Sequence, residues 1–297
     1  MVVFNEYAKR VAVLNNEIIQ KRVAVLGKKK AAMIASDEYI DKEGKIRCRV
    51  CHGARRAPSR LNNEIIQMCC SCSCKKKEKQ IKEKKKYEEA VQKNRKKIIT
   101  SNFIRYKDSS IKTDDKLNTN VSTIIQKYVE NFDNMFAAGK GLVFYGGAGT
   151  GKTFAMVAIL NEVAKLYKPN TKKLYSCYIN NFSGISQELQ SCFNSQFNST
   201  IEDYYNSLNK YDLIAIDDWG RERSTPFMND VIVNIICKRY DCKKPLLLTT
   251  NLDMRDINNF ADLSMGRTYS RLCETCYMVC VNGGDRRKYN ASTRYIH

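Results

Sequence analysis

The chain has 297 residues, of which 43% are apolar and 28% are charged, a composition that excludes an intrinsically disordered protein. Lysine and arginine outnumber aspartate and glutamate by 51 to 31, and most of this excess lies in residues 1–100, with 26 basic and 11 acidic side chains and a net charge of +15. Residues 101–297 carry only +5. This asymmetry predicts a nearly balanced C-terminal domain with a strongly cationic N-terminal part, for which polyanions are the natural partners.

We expect neither a membrane-spanning helix nor an export signal in this sequence. No segment approaches the ~18 consecutive apolar residues that a membrane-spanning helix needs. The first residues carry charges at Glu6, Lys9 and Arg10, where a secretion signal would be apolar. We therefore expect a cytoplasmic protein with no membrane partner, whose 13 cysteines stay reduced and, where clustered, are more often metal ligands than disulfides.

The N-terminal third reads as helix, cysteine-rich segment and helix in succession. Residues 1–47 mix apolar and charged side chains and predict helix, and residues 48–74 hold six cysteines. The run of lysine and glutamate at 75–97 contains neither glycine nor proline and predicts an exposed linker helix. A dedicated contact with nucleic acid is the alternative for this run.

From about residue 101 the pattern alternates between strands and helices. Continuous apolar strands separated by helices predict a parallel sheet covered on both faces, with ligands at the carboxyl ends of its strands. The predicted elements are a helix at Lys152–Leu166 and strands at Gly141–Tyr145, Leu174–Ile179, Tyr211–Ile216, Pro245–Thr250 and Tyr277–Val281.

A phosphate-binding motif follows the first of these strands. Its eight residues fit G-x-x-x-x-G-K-[ST] in full and are Gly146, Gly147, Ala148, Gly149, Thr150, Gly151, Lys152 and Thr153. The glycines let backbone N–H groups turn towards phosphate oxygens, Lys152 can reach the β- and γ-phosphates, and the Thr153 hydroxyl can ligate Mg²⁺. The positive end of the following helix adds to the same site.

Two further strand ends carry polar residues that complete a hydrolytic site. Asp217 and Asp218 follow the apolar run 213–216, and we expect Asp217 to hold Mg²⁺ and Asp218 to orient or deprotonate the attacking water. Asn251 ends the strand at 246–250, where its amide can bond the γ-phosphate or the lytic water. Taken alone, this Asn would be an ordinary turn residue.

These residues resemble AAA+ ATPases, and among them the DnaC/DnaI helicase-loader group and its relative IstB. The resemblance covers about 141–288 and includes the P-loop, Asp-Leu-Ile-Ala-Ile-Asp-Asp-Trp-Gly, Lys-Lys-Pro-Leu-Leu-Leu-Thr-Thr-Asn-Leu, Gly-Arg-Thr-Tyr-Ser-Arg-Leu and Gly-Gly-Asp-Arg-Arg. It implies an α/β fold, an AAA+ P-loop NTPase with a parallel five-stranded sheet, preceded by a small helical, zinc-binding N-terminal domain. The expected domains are 1–75 (helical and zinc-binding), 76–100 (basic helical linker) and 101–297 (AAA+ ATPase).

The resemblance also implies roles for late arginines. Arg271 matches the arginine finger that reaches the nucleotide of a neighbouring subunit, which requires head-to-tail assembly. Arg287 matches the second sensor arginine, which contacts the nucleotide of its own subunit, with Arg286 as the competing choice. Arg267 is a candidate for the subunit interface or for DNA. An ordinary surface charge is the alternative for each.

The cysteines at 48–74 have the spacing of a zinc site. Cys48-x-x-Cys51 is one pair, and a second pair roughly 15–20 residues later completes a tetrahedral Zn²⁺ site, but the residues alone leave that pair open among Cys69, Cys70, Cys72 and Cys74. The resemblance to the DnaI-like loaders favours Cys72 and Cys74 and leaves His52 unused. The alternative for the cysteines at 48–74 is that they are reduced thiols in a disordered linker. A later pair with the same spacing, Cys273 and Cys276, has no second pair near it, and we expect both to be core thiols.

The resemblance implies a Mg²⁺-dependent ATPase that loads a replicative helicase onto single-stranded DNA. The expected cofactors are ATP, Mg²⁺ and Zn²⁺, and the expected partners are the helicase, single-stranded DNA and further copies of the chain, bound through the ATPase domain. The alternatives are an IstB-like ATPase that assists a transposase, and a zinc-dependent nucleic-acid-binding regulator with ATP as a static ligand. A small-molecule kinase fits the acid pair and the late arginines less well.

Overall fold

A computed structural model of the chain describes residues 37–61, 64–69, 72–98, 101–194, 200–220, 226–252 and 263–287. The chain divides into two compact units, residues 1–87 and 88–297, and each is described by itself. This division falls inside the expected linker at 76–100, and the expected three-part organisation stays a prediction. Most of the helix predicted over 1–47 lies outside the described residues.

The N-terminal unit contains two antiparallel hairpins. Strand β1 (Glu38–Ile40) pairs with β2 (Ile46–Cys48), and β3 (Arg56–Leu61) pairs with β4 (Glu64–Cys69). The helix predicted for residues up to 47 is therefore wrong where the structure describes them.

A tight turn explains the first hairpin. The carboxylate of Asp41 accepts hydrogen bonds from the backbone N–H groups of Glu43 (3.0 Å) and Lys45 (2.8 Å). Gly44 adopts φ +75°, a left-handed conformation that glycine takes without a steric cost. An aspartate that bonds the backbone two residues on, followed by glycine, favours a turn over a helix.

The charge-rich run forms helix α1 (Ser73–Ile98), as predicted. Its lysine and glutamate side chains are mostly exposed, and Lys82–Glu78 and Lys79–Glu83 lie one turn apart as weak surface pairs. Two short 3-10 helices follow, at Ser101–Tyr106 and Ile111–Thr113.

The C-terminal unit is built on a parallel five-stranded sheet, as predicted, with strand order β6-β7-β8-β5-β9. Its strands are β5 (Gly141–Tyr145), β6 (Cys177–Asn181), β7 (Leu213–Trp219), β8 (Leu246–Thr250) and β9 (Cys276–Cys280). Strand β6 begins later than predicted, because Leu174 forms an isolated bridge with Tyr167 instead of joining the sheet.

Helices cover both faces of this sheet. They are α2 (Thr119–Glu130), α3 (Phe132–Ala137), α4 (Lys152–Val163), α5 (Phe182–Asn194), α6 (Ile201–Leu208), α7 (Pro226–Asp241) and α8 (Leu263–Thr275). None of the helices in the described part of the chain is long and apolar enough to cross a membrane.

The core consists of two apolar clusters, one on each face of the sheet. Along β5, Leu142 and Phe144 belong to one cluster and Val143 to the other, because successive strand side chains point to opposite faces. Helix α4 packs in the first cluster and α7 in the second. Since all five strands are parallel, their carboxyl ends share one edge, and the predicted site residues follow those ends.

Candidate functional site

The loop between β5 and α4 has three positions whose backbone conformation favours glycine. Gly146, Gly149 and Gly151 have φ of +137°, +74° and +108°. A Cβ atom at Gly146 would lie 2.6 Å from the carbonyl oxygen of Val281, and one at Gly149 would lie 1.9 Å from a carboxylate oxygen of Asp285. The predicted phosphate loop is thus a tight turn that opens a helix, the geometry in which backbone N–H groups cradle phosphate.

Lys152 begins helix α4, and its ammonium group is held against the loop. Its Nζ donates hydrogen bonds to the carbonyl oxygens of Gly146 (2.8 Å) and Gly147 (2.6 Å). Burial lowers the pKa of Lys152, an effect that the nearby carboxylates of Asp217 and Asp218 oppose. A phosphate oxygen would bind this ammonium more strongly than neutral carbonyls do, because charge-assisted hydrogen bonds are stronger.

Asp217 and Thr153 meet at the end of β7. The Thr153 Oγ1 lies 3.1 and 3.2 Å from the two carboxylate oxygens of Asp217, and the Thr249 hydroxyl donates to the same carboxylate at 2.5 Å. Burial raises the pKa of Asp217, with a contribution from Asp218, whereas the hydrogen bonds from both threonines lower it. A buried carboxylate beside a hydroxyl is the donor set that Mg²⁺ prefers, so these residues fit that ion.

The two aspartates lie within β7 and not after it, which corrects the predicted strand end at Ile216. Strand β7 continues to Trp219, and its pairing with β8 shifts in register between Ile216 and Trp219. Asp218 has φ +59°, a left-handed conformation that aspartate tolerates better than most residues. Adjacent strand residues normally point to opposite faces, and a bulge changes this alternation. Asp218 lines a cleft beside the loop, and Asp217 contacts Thr153, which lines the same cleft.

The cleft beside the loop has a volume of about 270 Å³ and brings together most of the predicted nucleotide residues. Asn251, Arg286 and Arg287 line it with the loop. The Arg286 side chain donates two hydrogen bonds to the carboxylate of Asp115, at 3.0 and 2.9 Å, and the Arg286 backbone N–H donates to the carbonyl of Gly149. Arg287 lies near enough to Lys152 to lower the pKa of that ammonium. Both arginines thus face the cleft, and the choice of second sensor stays open.

Four cleft residues were not expected from the sequence. Arg105 and Tyr106, from the 3-10 helix at 101–106, line the cleft, and so do Asp115 and Phe154. The first three precede the sheet and belong to no recognisable motif, so only their folded position brings them to the site.

Arg271, the predicted arginine finger, is not among the residues that line this cleft. It lies on α8, where its guanidinium stacks over the ring of Tyr240 at 5.4 Å and its Nη1 lies 2.6 Å from the Sγ of Cys237. Arg267, on the same helix, is exposed. A role for Arg271 in catalysis would therefore have to be exercised on another subunit.

The N-terminal unit holds a candidate metal centre. The Sγ atoms of Cys48, Cys51, Cys72 and Cys74 all lie within 4.8 Å of one another. Zinc–sulfur bonds of about 2.3 Å place tetrahedral sulfurs at comparable separations, so the four thiols fit Zn²⁺. Cys70 and the side chain of Cys69 lie outside the described part, and the ring of His52 instead bonds the Tyr39 hydroxyl at 2.9 Å.

The chemistry of this cluster also suits a cation. Hydrogen bonds led by that of Ser73 lower the pKa of Cys51 to about 5, whereas the neighbouring Cys51 raises the pKa of Cys74 to about 11. Arg55, which sequence reasoning missed, is buried with its Nη2 3.6 Å from the Sγ of Cys48. Zinc binds cysteine in its thiolate form. The lowered pKa of Cys51 and the positive charge of Arg55 beside Cys48 both favour that form.

Two other cysteines were expected in the core. Cys276 is buried at the start of β9, as predicted, and burial raises the pKa of its thiol to about 12. Cys273 is exposed, so that expectation is wrong for it. It lies three residues earlier, on α8, where the preceding residue Leu272 packs into the second apolar cluster.

Known proteins are similar to parts of this chain. The family described as IstB-like ATP binding protein matches residues 77–294. The replicative helicase loader DnaI of Bacillus subtilis is 28% identical over 127 residues, which is 42% of this chain and 38% of that protein. The replicative helicase loader DnaC of Escherichia coli K12 is 29% identical over 132 residues, 44% of this chain and 49% of that protein.

A solved structure shares the fold. The crystal structure of the DnaC helicase loader matches with a TM-score of 0.50 and 22% identity, covering 60% of this chain and 99% of that one. The chain spans less than half the length of the two curated loaders that it matches. The family match covers most of the chain and includes the phosphate loop, the acid pair and the late arginines, so the chain belongs to the IstB-like ATP binding protein family, with an α/β P-loop NTPase fold.

Proposed function

We propose that the chain binds ATP with Mg²⁺ and hydrolyses it. The observation that carries this proposal is the convergence of Thr153 and Asp217 at one point beside the phosphate loop. Residues 146–153 would hold the phosphates, and Thr153 and Asp217 would hold Mg²⁺, which supplies charge neutralisation when it is bound.

The residues around this point have distinct tasks in the proposed reaction. Asp218 lines the cleft, where it would accept a proton from the attacking water or orient it. Asn251 would bond the γ-phosphate or the same water, and Arg287 would contact the phosphates of its own subunit. Lys152 would exchange its carbonyl partners for phosphate oxygens.

Arg271 would act on the nucleotide of a neighbouring subunit. Its position on α8, outside the residues that line the cleft of its own chain, supports a finger used in trans. A contact of this kind is heterologous, so it implies head-to-tail self-association into a ring or a helix. Asp218 of one subunit and Arg271 of the next would then form one active site.

The function that we propose for the whole chain is the loading of a replicative helicase onto single-stranded DNA in the cytoplasm. Support comes from two relatives that are named replicative helicase loaders. The exposed lysines of α1 give a cationic surface for the DNA backbone, with an affinity that should fall steeply with salt. The N-terminal unit, with Zn²⁺ held by Cys48, Cys51, Cys72 and Cys74, would contact the helicase.

A second candidate is the IstB-like ATPase that assists a transposase, because the matching family is described as IstB-like. The full chain would be immobilised with ATP and Mg²⁺ and offered a purified hexameric replicative helicase or a purified transposase, with Lys152→Ala as the control. ATP-dependent retention of the helicase alone supports the loader, and retention of the transposase alone supports the alternative. ATP binding without turnover, even with DNA and partner present, would instead indicate a zinc-dependent regulator with ATP as a static ligand.

A further inference from the structure

Strand β7 carries one residue more than β8 at the point where the two aspartates lie. Ile216 is opposite Leu248 and Trp219 is opposite Thr250, so Asp217 and Asp218 together stand opposite the single residue Thr249. A bulge of this kind breaks the hydrogen-bond ladder and leaves a backbone group of the longer strand without its usual partner.

The side chain of Thr249 bridges this break. Its hydroxyl accepts a hydrogen bond from the backbone N–H of Asp218 at 2.9 Å and donates one to a carboxylate oxygen of Asp217 at 2.5 Å. A hydroxyl has one proton to donate and two lone pairs, so it can make both bonds at once. Thr249 is fully buried, so bulk water has no access to replace the hydroxyl.

We propose that Thr249 is a positioning residue for the magnesium and water sites, because its hydroxyl fixes the Asp217 carboxylate and the Asp218 backbone relative to each other. This role rests on the proposed ATPase function. Without the Thr249 hydroxyl, Asp217 would keep the hydrogen bond from Thr153 but lose the one from Thr249. The backbone N–H of Asp218 would lose its hydrogen bond to Thr249. The left-handed Asp218 would then no longer be held at φ +59°.

The next residue on the same strand offers a matched control. Thr250 is also fully buried, and its hydroxyl likewise makes two hydrogen bonds. Its partners are the carbonyl of Trp219 (2.8 Å) and the N–H of Leu252 (3.1 Å), both backbone groups. A valine at either position removes a buried hydroxyl with little change in shape, but only the valine at 249 removes a bond to the acid pair.

The test compares wild type, Thr249→Val, Thr249→Ser and Thr250→Val in two measurements. The first is the affinity for a fluorescent ATP analogue with Mg²⁺ and with EDTA, and the second is steady-state ATP turnover. In EDTA, Thr249→Val should bind the analogue as tightly as wild type does. The increase in affinity that Mg²⁺ gives should be about 10- to 100-fold smaller than in wild type, the usual effect of removing a hydrogen-bond partner of a metal ligand. Its turnover should fall by about 100-fold or more, whereas Thr249→Ser stays near wild type.

Thr250→Val should keep the magnesium-dependent gain even where its melting temperature falls. If Thr249→Val does not fold, Thr249→Ala against Thr249→Ser makes the same comparison. A Thr249 variant that lacks the hydroxyl yet keeps the full magnesium gain and turnover would overturn the role, and so would an equal loss in Thr250→Val. A wild-type chain without magnesium-dependent ATP binding would instead contradict the proposed function itself.

Discussion

The Thr153 hydroxyl lies within 3.2 Å of both carboxylate oxygens of Asp217, although the two residues are 64 positions apart in the chain. Thr153 is fixed by the first turn of α4 and Asp217 by a buried strand that lies between two others in the sheet. Neither side chain therefore has to move far for both to ligate one ion. This relationship makes the phosphate loop and the acid pair one site, on which the following predictions depend.

Asp218→Asn should separate binding from hydrolysis. The amide keeps the shape of the side chain but cannot accept a proton from water, so turnover should fall about 10²- to 10⁴-fold while ATP affinity stays within about twofold. Steady-state hydrolysis and equilibrium binding measure the two effects. Asp241→Asn, the same change at an exposed position, should alter neither; an equal loss of turnover there, or full turnover in Asp218→Asn, would contradict the assignment.

Arg271→Ala should lower hydrolysis by about 10³-fold without weakening ATP binding, because a finger supplied by a neighbour stabilises only the transition state. Mixing Arg271→Ala with Asp218→Asn chains should restore part of the activity, since some interfaces then combine an intact Asp218 with an intact Arg271. Lys238→Ala, which removes a surface ion pair with Glu202, should leave hydrolysis unchanged. Mixtures that stay as inactive as their components would rule out a finger in trans.

Metal analysis of the purified chain should give one zinc per chain. Cys48→Ser and Cys51→Ser should each lose the metal, whereas Cys242→Ser, at an exposed thiol, should retain it. Among residues 37–56 and 72–87, the buried apolar side chains are those of Ile46, Cys48 and Cys72, so metal binding should supply much of the folding energy of this part. Chelation should therefore abolish the structure of residues 37–72. A metal-free chain with that unit folded would disprove the zinc site.

Gly149→Ala adds a single methyl group but should weaken ATP binding strongly. Gly149 has φ +74°, and its new Cβ would collide with the Asp285 carboxylate, so the loop must change shape to accept it. Gly266→Ala, in helix α8 with no atom within 4 Å of the new Cβ, should instead raise the stability by about 0.5–1 kcal/mol. Equal nucleotide affinity of Gly149→Ala and wild type would show that this backbone conformation is not needed.

The sequence predicted those parts of the site that depend on local spacing. The phosphate loop needs eight consecutive residues between a strand and a helix, and the acid pair needs one buried strand, so both are visible without a structure. The same holds for the five parallel strands, whose apolar runs are continuous. Cys72 and Cys74 came from the resemblance, because spacing alone could not choose among the later cysteines.

Other parts depend on tertiary placement and could not be predicted. In the sequence, Thr249 looks like an ordinary strand residue. The bulge that places it opposite two aspartates forms only when β7 and β8 pair. Arg105 and Asp115 reach the cleft from segments without regular periodicity. For the hairpin at 38–48 the sequence predicts helix, because each strand is only three residues long, too short to show the alternation of apolar and polar residues. The Asp41 turn was the available signal.

The most direct test of the central claim is equilibrium binding of ATP in the presence of Mg²⁺ by wild type, Lys152→Ala and Lys165→Ala. Lys165 lies just beyond the same helix and pairs with Glu162, so its loss should leave affinity unchanged. Lys152→Ala removes the ammonium group that would donate charge-assisted hydrogen bonds to phosphate, and should weaken binding by about 100-fold or more. Wild-type affinity in Lys152→Ala, or no binding by the wild-type chain, would contradict a single magnesium–ATP site.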